Sequence, residues 1–295
     1  MTKTTGYLRL IRPANIVTSV ADVIAGVAIS GFYNGLWHPS FTSSMLLLCI
    51  STAGLYGGGV AFNDIFDADL DRVERPERPI PSGVISRKEA VVFASLLLLM
   101  GILMAFLVNP TSGLLAIFIA LAALTYNRWG KHQAFLGPIN MGLCRGLNLL
   151  LGISILPLAV PDWWHIAIVP VIYISSITMI SRGEVHGSNR RPLYFAGLLY
   201  AVVIGIILYY SFGNHMHWLA LAFLLPFAWM IYKPLLKAVK EPSGPNIGKA
   251  VKAGVISLII MDAAWAAASG ELIAAIVIIL LLPLSFRLAR LFAVT

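Results

Sequence analysis

Apolar residues run along this chain in long blocks broken by short polar stretches, the pattern of helices that cross a bilayer. Ten blocks are long enough, or nearly so: about residues 16 to 33, 43 to 63, 89 to 108, 111 to 127, 136 to 158, 164 to 182, 193 to 211, 216 to 233, 250 to 269 and 271 to 292. A crossing needs about 20 apolar residues, and several blocks sit near that limit, so nine to ten transmembrane helices are predicted. The expected fold class is all-α, a polytopic membrane helical bundle forming a single domain over residues 1–295.

Composition agrees with the pattern. A mean hydropathy of +0.85 with 12% charged residues is far too apolar for a soluble domain of this size. The net charge of +8 would suit nucleic acid, but the placement of the basic residues argues against it. Lysines and arginines fill the N-terminus and every second connection: Arg72 to Lys88, Arg128 and Lys131, Arg182 to Arg191, and Lys233 to Lys252. The intervening connections, such as Asn109–Pro110 and Phe212–His217, hold none. By the positive-inside rule the basic loops are cytoplasmic and, with ten crossings, so are both termini. Trp37, Trp163, Trp164 and Trp218 fall near the opposite boundary as an aromatic belt would. No cleavable signal peptide is expected, because the first apolar run follows Lys3, Arg9 and Arg12 without a processing site. Cys49 and Cys144 lie inside predicted spans and read as small core residues.

Four carboxylates gather where the second block ends, in Asn63-Asp64-Ile65-Phe66-Asp67-Ala68-Asp69-Leu70-Asp71. On a helix continuing through the segment, Asp64, Asp67 and Asp71 share one face with Asn63 beside them, while Asp69 points away. Oxygen donors of this kind suit Mg2+, which binds through one or two carboxylates and completes its shell with water and substrate phosphate. A salt-bridged helix end is the plainer alternative. Beyond the acids, prolines and glycines in Arg75-Pro76-Glu77-Arg78-Pro79-Ile80-Pro81-Ser82-Gly83 forbid a continuous helix. They shape a loop dense in arginine, where Arg72 and Arg78 are candidate phosphate ligands or topology-setting charges. Arg145 is the basic residue set well inside a span, so it must face a cavity or a partner such as Asn140 or Asn148. Asp22 and Asp262 also lie inside spans, without an assigned role.

The Asn-Asp-x-x-Asp-x-x-x-Asp cluster, the Arg-Pro-Ile-Pro-Ser-Gly that follows and the all-helical membrane chain together resemble the UbiA superfamily of intramembrane prenyltransferases. The resemblance covers essentially the whole chain. It implies a helical bundle with a central cavity that binds an isoprenyl diphosphate through Mg2+, ionises it and lets an aromatic or other small acceptor capture the cation. Asn63, Asp64, Asp67 and Asp71 match the first acidic motif and would hold the metal. The second motif should lie after the sixth span, where Glu184 matches its first acid and Ser188 stands in place of its second. His186 between them is a candidate general base or a plain surface residue. Further carried roles are a cavity contact to diphosphate or an acidic acceptor for Arg145, phosphate contacts for Tyr126, Arg128, Lys131 and Arg182, and acceptor positioning for Asn15. The strings Gly57-Gly58-Gly59-Val60-Ala61-Phe62-Asn63-Asp64 and Arg182-Gly183-Glu184-Val185-His186-Gly187 resemble the EboC-type branch, which implies a bacterial inner membrane and secondary-metabolite biosynthesis. The competing expectation is a scaffold or transporter that keeps the bundle and has lost catalysis, which the substitution at Ser188 favours. Midplane broken helices, the mark of a transporter, are not evident, and the acids lie at the cytoplasmic edge.

Overall fold

The computed structural model describes residues 2–32, 39–133, 135–184, 187 and 189–292, with the side chains at 39–41 and 132 set aside. Among the described residues the regular structure is helical, without a strand. The α-helices are α1 (Lys3–Ile11), α2 (Pro13–Ile29), α3 (Pro39–Phe66), α4 (Ala68–Glu74), α5 (Arg87–Val108), α6 (Pro110–Arg128), α7 (Leu136–Ile153), α8 (Val160–Trp163), α9 (Ile168–Ser181), α10 (Arg190–Gly213), α11 (His217–Lys240), α12 (Gly244–Ala268) and α13 (Leu272–Leu291). This is an integral membrane protein, as the apolar blocks predict.

Eight segments are long and apolar enough to cross a membrane, and nine if α1 and α2, bent by 41° at their junction, count as one span. The remaining expected crossing is α7, which carries Arg145, Asn140 and Asn148 and so falls short on apolarity alone. Its 18 residues rise about 27 Å, close to the thickness of a hydrocarbon core. Because α7 packs against α2, α6 and α9, its polar face meets protein rather than lipid.

Helix starts follow local chemistry. Ser86 and Glu89 form a reciprocal capping box at α5, with Ser86 Oγ accepting from Glu89 N–H at 3.2 Å and Glu89 Oε2 accepting from Ser86 N–H at 2.8 Å. Asn109 caps α6 by accepting from the Ser112 N–H at 2.8 Å, one residue ahead of Pro110.

α12 is the central helix: 83% of its apolar window is buried, against 22% for α5 and α13, whose side chains face lipid. Its last turns, Met261-Asp262-Ala263-Ala264-Trp265-Ala266-Ala267-Ala268, are buried all round. The tightest backbone contact described between helices is α2 on α7. A Cβ on Gly26 would meet the Leu149 carbonyl oxygen at 2.3 Å, and one on Gly152 the Val23 oxygen at 2.3 Å. Only glycine lets two backbones approach so closely, the small-residue packing that membrane bundles use in place of a hydrophobic drive. Trp164 and Trp218 are exposed at 64% and 76%, consistent with ring positions at a bilayer boundary. Trp37 lies outside the described residues.

Candidate active site

The acidic cluster forms as a broken helix end. The helix does not run through the segment unbroken: α3 stops at Phe66, Asp67 stands between helices with φ −87° and ψ −2°, and α4 starts at Ala68. The break is mild, since Asp67 N–H still donates to Asn63 O at 3.0 Å and Asp71 N–H to Asp67 O at 2.8 Å. The shared face therefore survives, with Asp64 and Asp71 both 4% exposed. Asp69 turns out to solvent, where it pairs with Arg72 and Arg87 at 3.3 Å each.

Among the described residues, three cations from three separate segments meet Asp64, Asp67 and Asp71. Arg12, at the junction of α1 and α2, donates from Nη2 to Asp64 Oδ1 at 2.8 Å. Its backbone sits in the left-handed region (φ 47°, ψ 72°), strain that a non-glycine residue tolerates where surrounding contacts over-determine it. Arg78, from the proline-shaped loop, reaches Asp71 Oδ2 at 2.7 Å and Asp64 Oδ1 at 3.3 Å through one nitrogen, Nη1. Lys131, in the turn between α6 and α7, pairs with Asp67. Asn63 adds a hydrogen bond to Asp64, and Asn127 ties α6 to α3 by donating to Gly59 O at 2.8 Å. Tyr126 has Cys144, Arg182, Asp67 and Tyr56 as electrostatic neighbours.

Several expected contacts are corrected. Arg72 is 69% exposed and pairs with the outward Asp69 at 3.3 Å, one turn away on the same side of α4. Arg128 is exposed and lies over the Trp129 ring at 5.4 Å, an interfacial position. Arg182 donates to the Gln133 carbonyl at 2.8 Å, bracing the α6–α7 turn. Arg145, expected to line a cavity or to pair with a neighbour such as Asn140 or Asn148, pairs with Asp22. It is 5% exposed and bonds Asp22 at 2.5 Å and Thr18. Asn15 is buried at the start of α2, where its carbonyl accepts from Thr18 at 2.7 Å. Glu184 is half-buried beside the N-terminal turns of α12 rather than grouped with the first acids, its Oε1 4.0 Å from where a Cβ on Gly248 would stand. Burial raises its carboxyl above the ordinary range, partly offset by Arg75. His186 and Ser188 lie outside the described residues. Reading the sequence alone missed Arg12 as a partner of the acids. The available signal was its place directly before Pro13, which stops α1 and fixes where the chain turns.

The donor set fits Mg2+. Asn63, Asp64, Asp67 and Asp71 offer only hard oxygen ligands, and two of the carboxylates already converge on a single cationic nitrogen. Among the described residues no three His, Cys, Asp or Glu side chains close on one point. The arrangement is thus an open pair that phosphate and water would complete, not a closed protein cage.

Comparison with known proteins follows the same lines. Residues 23–247 match the UbiA prenyltransferase family. The digeranylgeranylglyceryl phosphate synthase of Methanococcoides burtonii is 34% identical over 160 residues, covering 52% of this chain and 56% of that protein. The synthase of the same name from Ignicoccus hospitalis is 31% identical over 63% of this chain and 59% of its own. The chain thus spans somewhat over half the length of the curated relatives it matches. Among solved structures, one described as giving structural and mechanistic insights into digeranylgeranylglyceryl phosphate synthase in membranes superposes with a TM-score of 0.67 at 23% identity, over 91% of this chain and 99% of that one. A UbiA homologue from Archaeoglobus fulgidus bound to GPP and Mg2+ superposes at 0.63 with 19% identity, over 84% and 99%. These structures share the fold, and the family match takes in more than half of the sequence: the chain belongs to the UbiA prenyltransferase family.

Proposed function

We propose that the protein transfers an isoprenyl group from an isoprenyl diphosphate to a hydroxyl of a small glyceryl phosphate-type lipid, within the membrane and with Mg2+ as cofactor. The observation that carries this is the interleaving of Asn63, Asp64, Asp67 and Asp71 with Arg12, Arg78 and Lys131 at one end of the bundle. A diphosphate brings several negative charges, and a site with acids alone or bases alone would serve it poorly. Asn63, Asp64, Asp67 and Asp71 would hold Mg2+, which when bound supplies Lewis-acid stabilisation of the leaving oxygen. Arg12, Arg78 and Lys131 exchange their carboxylate partners for phosphate oxygens and take up charge as the carbon–oxygen bond breaks. Tyr126, an electrostatic neighbour of Asp67, orients a phosphate oxygen. The apolar interior below, with Phe62 and Tyr56, keeps water from quenching the allylic cation.

The relatives' printed names support the glyceryl phosphate acceptor. They lend nothing to the aromatic acceptor, the EboC-type role in secondary metabolism or a bacterial inner membrane. Orientation with the site at the cytoplasmic face is supported by the loop asymmetry of lysine and arginine.

The test is purified protein with geranylgeranyl diphosphate, Mg2+ and either a glyceryl phosphate monoether or a phenol, followed by mass spectrometry. A prenylated glyceryl phosphate with release of diphosphate is expected. A prenylated phenol alone would reassign the acceptor. Failure to release diphosphate with either would favour the scaffold or transporter.

A further inference from the structure

Below the cytoplasmic acids, two carboxyl groups meet that the transfer reaction as described leaves unused. Asp22 of α2 and Asp262 of α12 are each 1% exposed and lie within side-chain hydrogen-bonding reach of each other. Arg145 of α7 bonds Asp22 at 2.5 Å and also reaches Thr18. Asn148 donates to Asp22 at 2.9 Å and accepts from Thr52 Oγ1 at 2.6 Å. Asp262 Oδ2, by contrast, is buried with no hydrogen-bond partner. Two carboxyl groups against one guanidinium leave room for one proton, and Asp262 Oδ2 is the oxygen that no protein donor satisfies.

An aromatic ring of α3 lies against the arginine that holds the pair. The Arg145 guanidinium lies 5.2 Å from the ring centre of Tyr56, which is half-buried on α3. Tyr126 is an electrostatic neighbour of both Tyr56 and Asp67. Tyr56 precedes Asp64 by two helical turns, about 12 Å deeper in the bundle. Tyr173 of α9 also approaches Asp262, but its hydroxyl donates to Gly254 O at 2.9 Å. Among the described residues, the charged neighbours of Asp262 are Asp22 and Arg145, and none comes from α11 or α13, which pack on the same helix.

We propose that the Asp22–Asp262 pair is the proton acceptor of the transfer step, reached from the acceptor through Tyr56. In that step the allylic carbon–oxygen bond breaks and its electron pair leaves with diphosphate. The acceptor oxygen supplies the pair for the new carbon–oxygen bond. Its proton passes to the Tyr56 oxygen as Tyr56 gives its own proton to the carboxylate pair, so no further reactant is needed. The acceptor class this requires bears an O–H group, an alcohol or a phenol. Arg145 acts as a positioning residue, holding Asp22 in place against Asp262.

This inference rests on the prenyl-transfer reading, and steady-state transfer from geranylgeranyl diphosphate to a glyceryl phosphate monoether tests it with wild type and Asp262→Asn. The amide keeps the shape and can still donate to Asp22, but it takes up no proton. Expected are a fall in kcat of about 100-fold or more, KM values near those of wild type, and loss of the acidic limb of the kcat–pH profile. Asp262→Glu should recover part of the rate. An Asp262→Asn variant with wild-type kcat and pH limb, or one whose loss of rate leaves the pH profile unchanged, overturns the inference while the prenyl-transfer reading stands. A wild type that neither binds nor turns over the diphosphate overturns that reading and the inference with it. Should Asp262→Asn fail to fold, Tyr56→Phe keeps the ring against Arg145 and removes the relay hydroxyl. It should lose the same limb, and an unchanged profile there is equally fatal.

Discussion

Replacing Gly152 by alanine tests whether backbone contact between α2 and α7 is what sets the buried charge network. The added Cβ would stand 2.3 Å from Val23 O, where ordinary contact begins near 3.4 Å, so the helices must part by about 1 Å. Gly26 lies one turn beyond Asp22 on α2, and Gly152 two turns beyond Arg145 on α7, so the same faces carry both contacts. A parting of that size stretches the 2.5 Å Arg145–Asp22 bond towards about 3.5 Å, outside hydrogen-bonding range. Overpacking costs about 1–3 kcal/mol, and a weakened polar contact inside a bundle adds about 1. Gly152→Ala should therefore lose about 2–4 kcal/mol. The assay is equilibrium unfolding by SDS in mixed micelles, with Gly205→Ala as control, because a Cβ at Gly205 meets nothing within 4 Å. The control should be neutral or stabilised by up to about 1 kcal/mol, from helix propensity and a less flexible unfolded chain. If Gly152→Ala is as stable as Gly205→Ala, the close helix contact is not what holds Asp22 on Arg145.

Arginines on the two sides of the broken helix should differ in kinetics. Arg78→Ala removes the nitrogen shared by Asp64 and Asp71 and should lower kcat/KM by about 100-fold or more. Arg72→Ala, with its side chain 69% exposed, should stay within about twofold of wild type. Glu271, ahead of α13, has a carboxyl raised by partial burial. The folded state thus binds this proton more tightly than the unfolded one, and stability falls as pH rises through the unfolded and then the folded pKa. Glu271→Gln should accordingly melt higher than wild type at neutral pH and converge with it in acid, read from thermal melts across pH. Lys131→Met removes the cation on Asp67 and should slow diphosphate release more than it weakens substrate binding, seen as a larger change in kcat than in KM.

The spans and the acid cluster were legible because each is written in consecutive residues: apolar blocks long enough to cross, then four carboxylates within eight positions. Which cations meet those acids was not, since Arg12, Arg78 and Lys131 reach them from three segments that come together only when α1, the proline loop and the α6–α7 turn are in place. Arg72 lies one turn from Asp69 on the outward side of α4, and Arg128 ends α6 against the Trp129 ring, so a basic residue near the acids in sequence need not face them. Arg145 was recognised as needing a partner, but its partner Asp22 is 123 residues away, brought in by the glycine contact of α2 on α7. Eight or nine segments are apolar enough to cross; the tenth that loop charge suggested corresponds to α7, whose polar side chains lower its apolarity and pack on protein. Glu184 was singled out from its position after the sixth span, and its neighbours are Arg75 and the start of α12, a placement set by tertiary packing that sequence spacing does not carry.

Isothermal titration of geranylgeranyl diphosphate into the purified protein, with Mg2+ and then with chelator, measures whether the interleaved acids and bases form a metal-assisted diphosphate site. Saturable binding that requires Mg2+ and is lost in Asp71→Asn is the predicted result. Equal affinity in chelator, or undiminished binding by Asp71→Asn, would contradict it.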